Sequence, residues 1–204
     1  DERNHPVFAR HGYACVRVDM RGSGDSEGLM ADMYSPEEIS DGLGVIQWIA
    51  EQDWCNGQVG MMGTSWGGTS SLQMASLRPD PLKAIIAVCA TDDRFNDDIH
   101  HMGGCLLTDT LEWGAMLPAI LASPPDPETV GPNWREMWQE RLDHCAFPLE
   151  NWIRHETQDA YWRHGSVSDN VEDISCPMLL VGGWVDRYSN TVMNLLSRSH
   201  NPSW

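Results

Sequence analysis

Val59-Gly60-Met61-Met62-Gly63-Thr64-Ser65-Trp66-Gly67-Gly68 is the stretch that decides how this chain is read. Val59 to Met62 predict a short apolar strand. The G-x-S-x-G run behind them predicts a sharp turn into a helix, the arrangement of a nucleophile elbow. A serine that attacks a carbonyl must stand clear of the backbone on a strained turn, so Gly63 and Gly67 are expected to be small for strand and helix to approach closely. Ser65 is therefore the candidate nucleophile. A bare G-x-S-x-G arises by chance in a glycine-rich chain, so its context supplies the weight. Ser70 to Leu77 continue as a small-residue helix, and Arg78-Pro79-Asp80-Pro81 stops it because proline cannot continue a helix.

Outward from the elbow the pattern alternates. Ala84 to Cys89 predict the next buried strand. Upstream, Ser35-Pro36-Glu37-Glu38 is a helix start, with serine as N-cap, proline at the first position and acids in the first turn. Ile39, Leu43, Ile46 and Ile49-Ala50 follow at helical spacing and give that helix one apolar face. Phe8 to Tyr13 predict the end of a glycine-capped helix, and Ala14 to Val18 a strand. Gly22, Gly24 and Gly28 mark a loop of unusual backbone angles after it. That loop is not read as a phosphate cradle, since it matches neither G-x-G-x-x-G nor G-x-x-x-x-G-K-[ST]. Strand and helix in alternation predict an α/β fold with a mostly parallel sheet covered on both faces by helices.

After Ala90 the character changes. Residues 91–173 are rich in tryptophan, proline, acids and histidine, and show helical periodicity around Trp113, Trp134, Trp138 and Trp152, with none for a strand. Such a stretch between two sheet strands predicts a helical cap inserted into a core made of residues 1–90 and 174–204. Pro124-Pro125-Asp126-Pro127 reads as a turn between cap helices. The aromatic residues suit cap packing or the lining of an acyl pocket. The chain returns to the sheet at Cys176 to Val181, and Asn190 to Leu196 predict a last helix.

Composition excludes several partners. Thirty acidic against 13 basic residues give a net charge of −17 over 204 residues, and Lys83 is the sole lysine. No basic patch is available to neutralise nucleic-acid phosphates or to hold an anionic membrane surface. No stretch approaches the length of a membrane span. The six cysteines form no C-x-x-C pair, zinc spacing or disulfide framework, which favours a reducing, cytoplasmic compartment; Cys15 and Cys89, in apolar runs, are expected to be buried. No cofactor is implied.

A serine nucleophile needs a base, and the base needs an acid to orient it. Asp186, in the glycine-preceded loop Gly182-Gly183-Trp184-Val185-Asp186 past a strand end and downstream of Ser65, stands where that acid is expected.

Three motifs together carry a resemblance: Asp19-x-Arg21-Gly22-x-Gly24-x-Ser26-x-Gly28, Trp54-Cys55-Asn56-Gly57-x-Val59-Gly60-Met61-x-Gly63-x-Ser65, and Gly182-Gly183-Trp184-x-Asp186. They resemble the cocaine esterase and Xaa-Pro dipeptidyl peptidase family of serine hydrolases, which includes α-amino acid ester hydrolases and glutaryl-type acylases. The resemblance implies an α/β-hydrolase fold with a helical cap, Ser65 as nucleophile, Asp186 as acid and the Trp66 backbone N–H as one oxyanion donor. The substrate would be a small ester or amide or a short peptide. It also implies a tyrosine oxyanion donor upstream of the first motif and a histidine well beyond Asp186. His200 sits too close to the acid for that role. The chain is thus expected to be an internal fragment that lacks its base and is nearly inactive alone, since loss of a triad member costs about 10⁴-fold in rate. The different-class alternative is a non-catalytic α/β-hydrolase-fold protein that binds a partner through its cap.

Within Thr91 to Gly104, Asp98 matches the aspartate that helps α-amino acid ester hydrolases hold a substrate ammonium group. A structural acid pair is the plainer account of Asp97-Asp98. Metal ligation by Asp97, Asp98, His100 and His101 is disfavoured because adjacent histidines point to different sides of an element.

Overall fold

In a computed structural model that describes residues 4–200, the elbow strand is β1 (Val59–Thr64), preceded by α1 (His5–Arg10) and α2 (Pro36–Ala50) and followed by α3 (Trp66–Ser76) and β2 (Leu82–Val88). Then come β3 (His101–Met102), β4 (Cys105–Leu106), α4 (Asp109–Leu121), α5 (Pro127–Val130), α6 (Trp134–Asp143), α7 (Leu149–Arg154) and α8 (Ala160–Arg163). β5 (Met178–Val181) and α9 (Thr191–Arg198) close the order. Asp1 and Trp204, at the ends of the expected core, lie outside the described residues.

β1, β2 and β5 form one sheet in that order, all parallel, with β2 in the centre. A parallel ladder needs a crossover, and α3 supplies it between β1 and β2. Its Leu72, Met74 and Ala75 are buried against Ile85 and Ala87 of β2 and Met178 and Leu180 of β5. α2 begins where the sequence predicts: the Ser35 side chain accepts from the Glu38 N–H at 3.2 Å, and Ile39, Leu43, Ile46, Ile49 and Ala50 all meet this core. Gly42 lets α2 come down on Met74, whose sulfur stands 3.0 Å from where a Cβ would be.

The opposite face of the sheet is open among the described residues. Met62, Leu179 and Val181 alternate with the buried positions and are each about two-fifths exposed (41%, 41% and 43%). Helices therefore cover one face here, where both were expected.

Residues 14–18 form no strand. β1 has no second neighbour among the described residues, and a segment without a ladder partner gains nothing from an extended conformation; Cys15, Val16 and Val18 are exposed. Cys15 is thus not the buried residue its apolar run suggests, and Cys89 is only half-buried. The glycine loop behind this segment does adopt left-handed angles. A Cβ at Gly24 (φ +52°) would collide with the Asp19 carboxylate, which accepts from the Asp25 N–H at 3.0 Å.

Residues 91–173 pack around a second apolar cluster of Phe95, Leu117, Leu121, Leu149, Trp152 and Trp162, which takes in Met33 and Tyr34 from before α2 and touches Trp66 of the elbow. Trp152 and Trp162 are fully buried, so these two rings are packing residues. The segment is not free of strand. β3 and β4 make a two-residue antiparallel hairpin across Gly103-Gly104, both at positive φ (+56° and +78°), the glycine pair that tight hairpin turns favour. Among the described residues no helix is long and apolar enough to cross a membrane.

Candidate active site

Ser65 sits at φ +85°, ψ −105° between the end of β1 and the start of α3. Its N–H donates to the Val88 carbonyl at 2.9 Å and its carbonyl accepts from the Thr69 N–H at 2.9 Å, so backbone bonds to β2 and α3 hold the strained turn. A Cβ on Gly63 would stand 2.3 Å from the Gly67 carbonyl carbon, and one on Gly68 2.9 Å from Ala90. A Cβ on Gly67 itself would meet nothing within 4 Å. The tight glycines are therefore Gly63 and Gly68, and the expectation for Gly67 is corrected: strand and helix meet at its backbone, and the direction of its Cβ is open.

Trp66 opens α3, where the first-turn N–H groups have no acceptor within the helix. Its indole is fixed from three sides. Nε1 donates to Glu38 Oε1 at 2.8 Å, and the ring meets Tyr34 and Trp113 edge-on at centroid distances of 5.9 and 6.2 Å.

Asp186 lies in the loop after β5. Its Oδ1 accepts from the Arg187 N–H at 2.8 Å, while Oδ2 is buried without a well-formed hydrogen bond. The Cys89 thiol lies against this carboxylate and is pushed up by it, and by burial. Tyr188, two residues on, connects the parts: burial raises its phenol, the charges of Asp98 and Asp186 raise it further, and the Ser65 side chain beside it draws it back. The structure thus brings Ser65, Asp186, Asp98 and Cys89 around one buried tyrosine that the sequence reading passed over.

The acid pair divides sharply. Asp97 is structural: its carboxylate accepts from Asn190 Nδ2 at 2.8 Å and Thr191 Oγ1 at 3.0 Å, tying the segment after β2 to α9. Asp98 is 3% exposed, accepts the Ile99 N–H on Oδ1 at 2.5 Å, and has no partner on Oδ2. Burial raises its carboxyl to about 7, against the pull of the Arg94 guanidinium. Arg94 is itself enclosed by Tyr34, Trp162 and Tyr161, at 4.8, 5.2 and 5.3 Å. Tyr34, also missed from sequence, is buried at φ +58° between these groups, and its phenol is raised by burial and by Asp98. The available signal was its place one residue before the Ser35-Pro36 helix start.

The histidines are engaged elsewhere. His100 lies between Trp152 and Trp162, at 4.4 and 5.5 Å, and burial lowers it to about 3. His101 stacks on Phe95, His155 bonds Asp159 at 2.6 Å, and His164 Nε2 bonds the Tyr34 carbonyl at 2.8 Å. His200 lies near Glu172, a carboxyl held down by its own backbone N–H and by Arg198. Among the described residues no group of three or more His, Cys, Asp or Glu side chains converges to hold a metal ion.

A parallel sheet that delivers a serine on a positive-φ turn into a helix defines an α/β-hydrolase-fold protein. The profile of the X-Pro dipeptidyl-peptidase (S15) family matches residues 1–203, and the chain belongs to that family. Among relatives, it is 39% identical to a candidate serine esterase of Mycobacterium bovis over 59% of this chain and 19% of that one. It is 28% identical to the cocaine esterase of Rhodococcus over 89% of this chain and 35% of that one. Among solved structures, a CocE/NonD family hydrolase from Staphylococcus aureus superposes with a TM-score of 0.57 at 25% identity, covering 78% of this chain and 25% of that one. An α-amino acid ester hydrolase superposes with a TM-score of 0.62 at 17% identity, over 95% of this chain and 36% of that one, a likeness of fold. The chain thus spans about a fifth to a third of the length of these curated relatives.

Proposed function

We propose that this chain forms the nucleophile-bearing core of a serine hydrolase that cleaves carboxylic ester or amide bonds through an acyl-enzyme on Ser65. The observation that carries the reading is the strained Ser65 turn, held by the Val88 and Thr69 backbone bonds with Tyr188 and Asp186 beside it. In the reaction Ser65 Oγ attacks the carbonyl carbon while its proton passes to a histidine oriented by Asp186. The Trp66 N–H stabilises the oxyanion, and collapse expels the alcohol or amine. Water then attacks the acyl-enzyme, which releases the acid and restores Ser65. In this reading the histidine and a second oxyanion donor come from parts of the full-length protein beyond these 204 residues, and residues 91–173 act as a cap over Ser65.

Asp98 serves in the same proposal as a subsite for a substrate ammonium group. Its Oδ2 is buried without a partner, and a desolvated carboxylate is best stabilised by a cation. The substrate is then a small ester or amide, or a short peptide, with a free amine near the scissile carbonyl.

The test uses the full-length protein. A fluorophosphonate probe should label Ser65, and Ser65→Ala should lose both labelling and hydrolysis of p-nitrophenyl esters. A Ser65→Ala variant that keeps its activity would overturn the reading.

A further inference from the structure

The loop before α2, the first turn of α2 and the first turn of α3 meet on one carboxylate. Glu38 Oε1 accepts from Trp66 Nε1 at 2.8 Å and from Ser70 Oγ at 3.2 Å; Glu38 Oε2 accepts from the Tyr34 N–H at 2.6 Å. Tyr34 is held in its left-handed conformation from its other side by His164. From sequence, Glu38 is a first-turn acid placed to favour the helix N-terminus. In the fold its side chain turns instead to the elbow and bonds the indole of the residue that follows the nucleophile.

We propose that Glu38 is a positioning residue for acyl transfer: by anchoring the Trp66 indole and the Tyr34 backbone together, it sets where the Trp66 N–H points. The proposal rests on the acyl-enzyme reading above. Trp66 Nε1 and the Tyr34 N–H can only donate, one to each oxygen, so the site requires an acceptor on both; the single Ser70 proton is shared with the Trp66 carbonyl at 3.0 Å. A carboxylate meets that requirement and an amide cannot, since one of its two ends would face a donor with its own NH₂. Burial raises the Glu38 carboxyl, and the hydrogen bonds from Trp66 and Tyr34 draw it back. The indole has little freedom to escape, because Tyr34 and Trp113 close it in edge-on. Losing the anchor therefore shifts the donor N–H without emptying the substrate pocket, and a displacement of a fraction of an ångström at an oxyanion donor lowers turnover more than binding.

The experiment compares wild type, Glu38→Gln, Trp66→Phe and the double variant of the full-length protein. It measures kcat and KM on p-nitrophenyl acetate, with a fluorophosphonate titration of Ser65 that is absent in Ser65→Ala. The expected result is a loss of about 10- to 100-fold in kcat for each single variant, with KM within about twofold, and a double variant no worse than Trp66→Phe. If Glu38→Gln folds and keeps the wild-type kcat while losing only thermal stability, Glu38 is a structural cap and the proposal falls. It falls equally if the two losses multiply. Should Glu38→Gln not fold, Trp66→Phe probes the same bond from the other side, and an unchanged kcat there is also fatal. A failure of the Ser65 titration would instead bring down the acyl-enzyme reading itself, and the inference with it.

Discussion

The backbone of Gly67 occupies the space that a side chain on Gly63 would need: a Cβ at position 63 would lie 2.3 Å from the Gly67 carbonyl carbon and 2.5 Å from its oxygen. The obstacle is backbone on both sides and has no rotamer to yield. Gly63→Ala should therefore cost at least about 3 kcal/mol or prevent folding, the upper end of overpacking effects. Gly67→Ala should leave the melting temperature of the full-length protein unchanged or raised, since a helical glycine replaced by alanine gains about 1 kcal/mol where nothing is in the way. Equal losses from both substitutions would contradict this geometry.

Ser65 carries backbone strain, which the proposed role as nucleophile accounts for. A side chain at φ +85° costs about 1–3 kcal/mol, and glycine does not incur that cost. Ser65→Gly should raise the unfolding free energy by an amount in this range while abolishing ester hydrolysis. Calorimetry of the two full-length proteins checks it, and a destabilised Ser65→Gly would show that the turn is relaxed.

Asp186→Asn keeps the size of the side chain and removes its charge. With Asp186 as orienting acid, kcat of the full-length protein should fall by about 10⁴-fold with KM little changed. The Cys89 thiol, raised by the same carboxylate, should become more acidic and react faster with iodoacetamide at pH 8. An unaltered thiol rate would place the carboxylate away from Cys89.

Asp98 links stability to pH in a definite direction. Its folded-state carboxyl is raised to about 7, above the unfolded value near 4. Below pH ~4 both states are protonated and no penalty exists. As pH rises from ~4 to ~7 the unfolded chain ionises first, so stability is lost, by up to about 4 kcal/mol above pH 7. Asp98→Asn should escape this loss and gain on wild type in urea unfolding at pH 8 but not at pH 4. If the amine subsite is real, the same variant should lose its preference for esters bearing an α-amino group over those without one.

Much of the frame was legible because local rules wrote it. Ser35-Pro36-Glu37-Glu38 predicted the start of α2, Arg78-Pro79 the stop of α3, and the apolar runs the three sheet strands, since capping, proline geometry and strand patterning act within a few residues. Ala14 to Val18 misled for the complementary reason: the run has strand composition, but a strand exists only if a neighbour completes its ladder. The Gly103-Gly104 hairpin was legible and was overlooked because two-residue strands have no periodicity to detect.

The sequence by itself determined the α/β-hydrolase class, the serine on its strand-to-helix turn and the place of Asp186 in the loop after the third strand, because strand–turn–helix order and glycine placement are local constraints. Only the tertiary structure decided which glycine the elbow cannot replace, that Asp97 is a tie while Asp98 is a buried carboxylate with an unpartnered oxygen, and that Tyr34, Glu38 and Tyr188 gather around Ser65 and Trp66. Those facts depend on contacts between residues far apart in the chain. Burial and hydrogen-bond partners come from packing, and no spacing in the sequence encodes them one residue at a time.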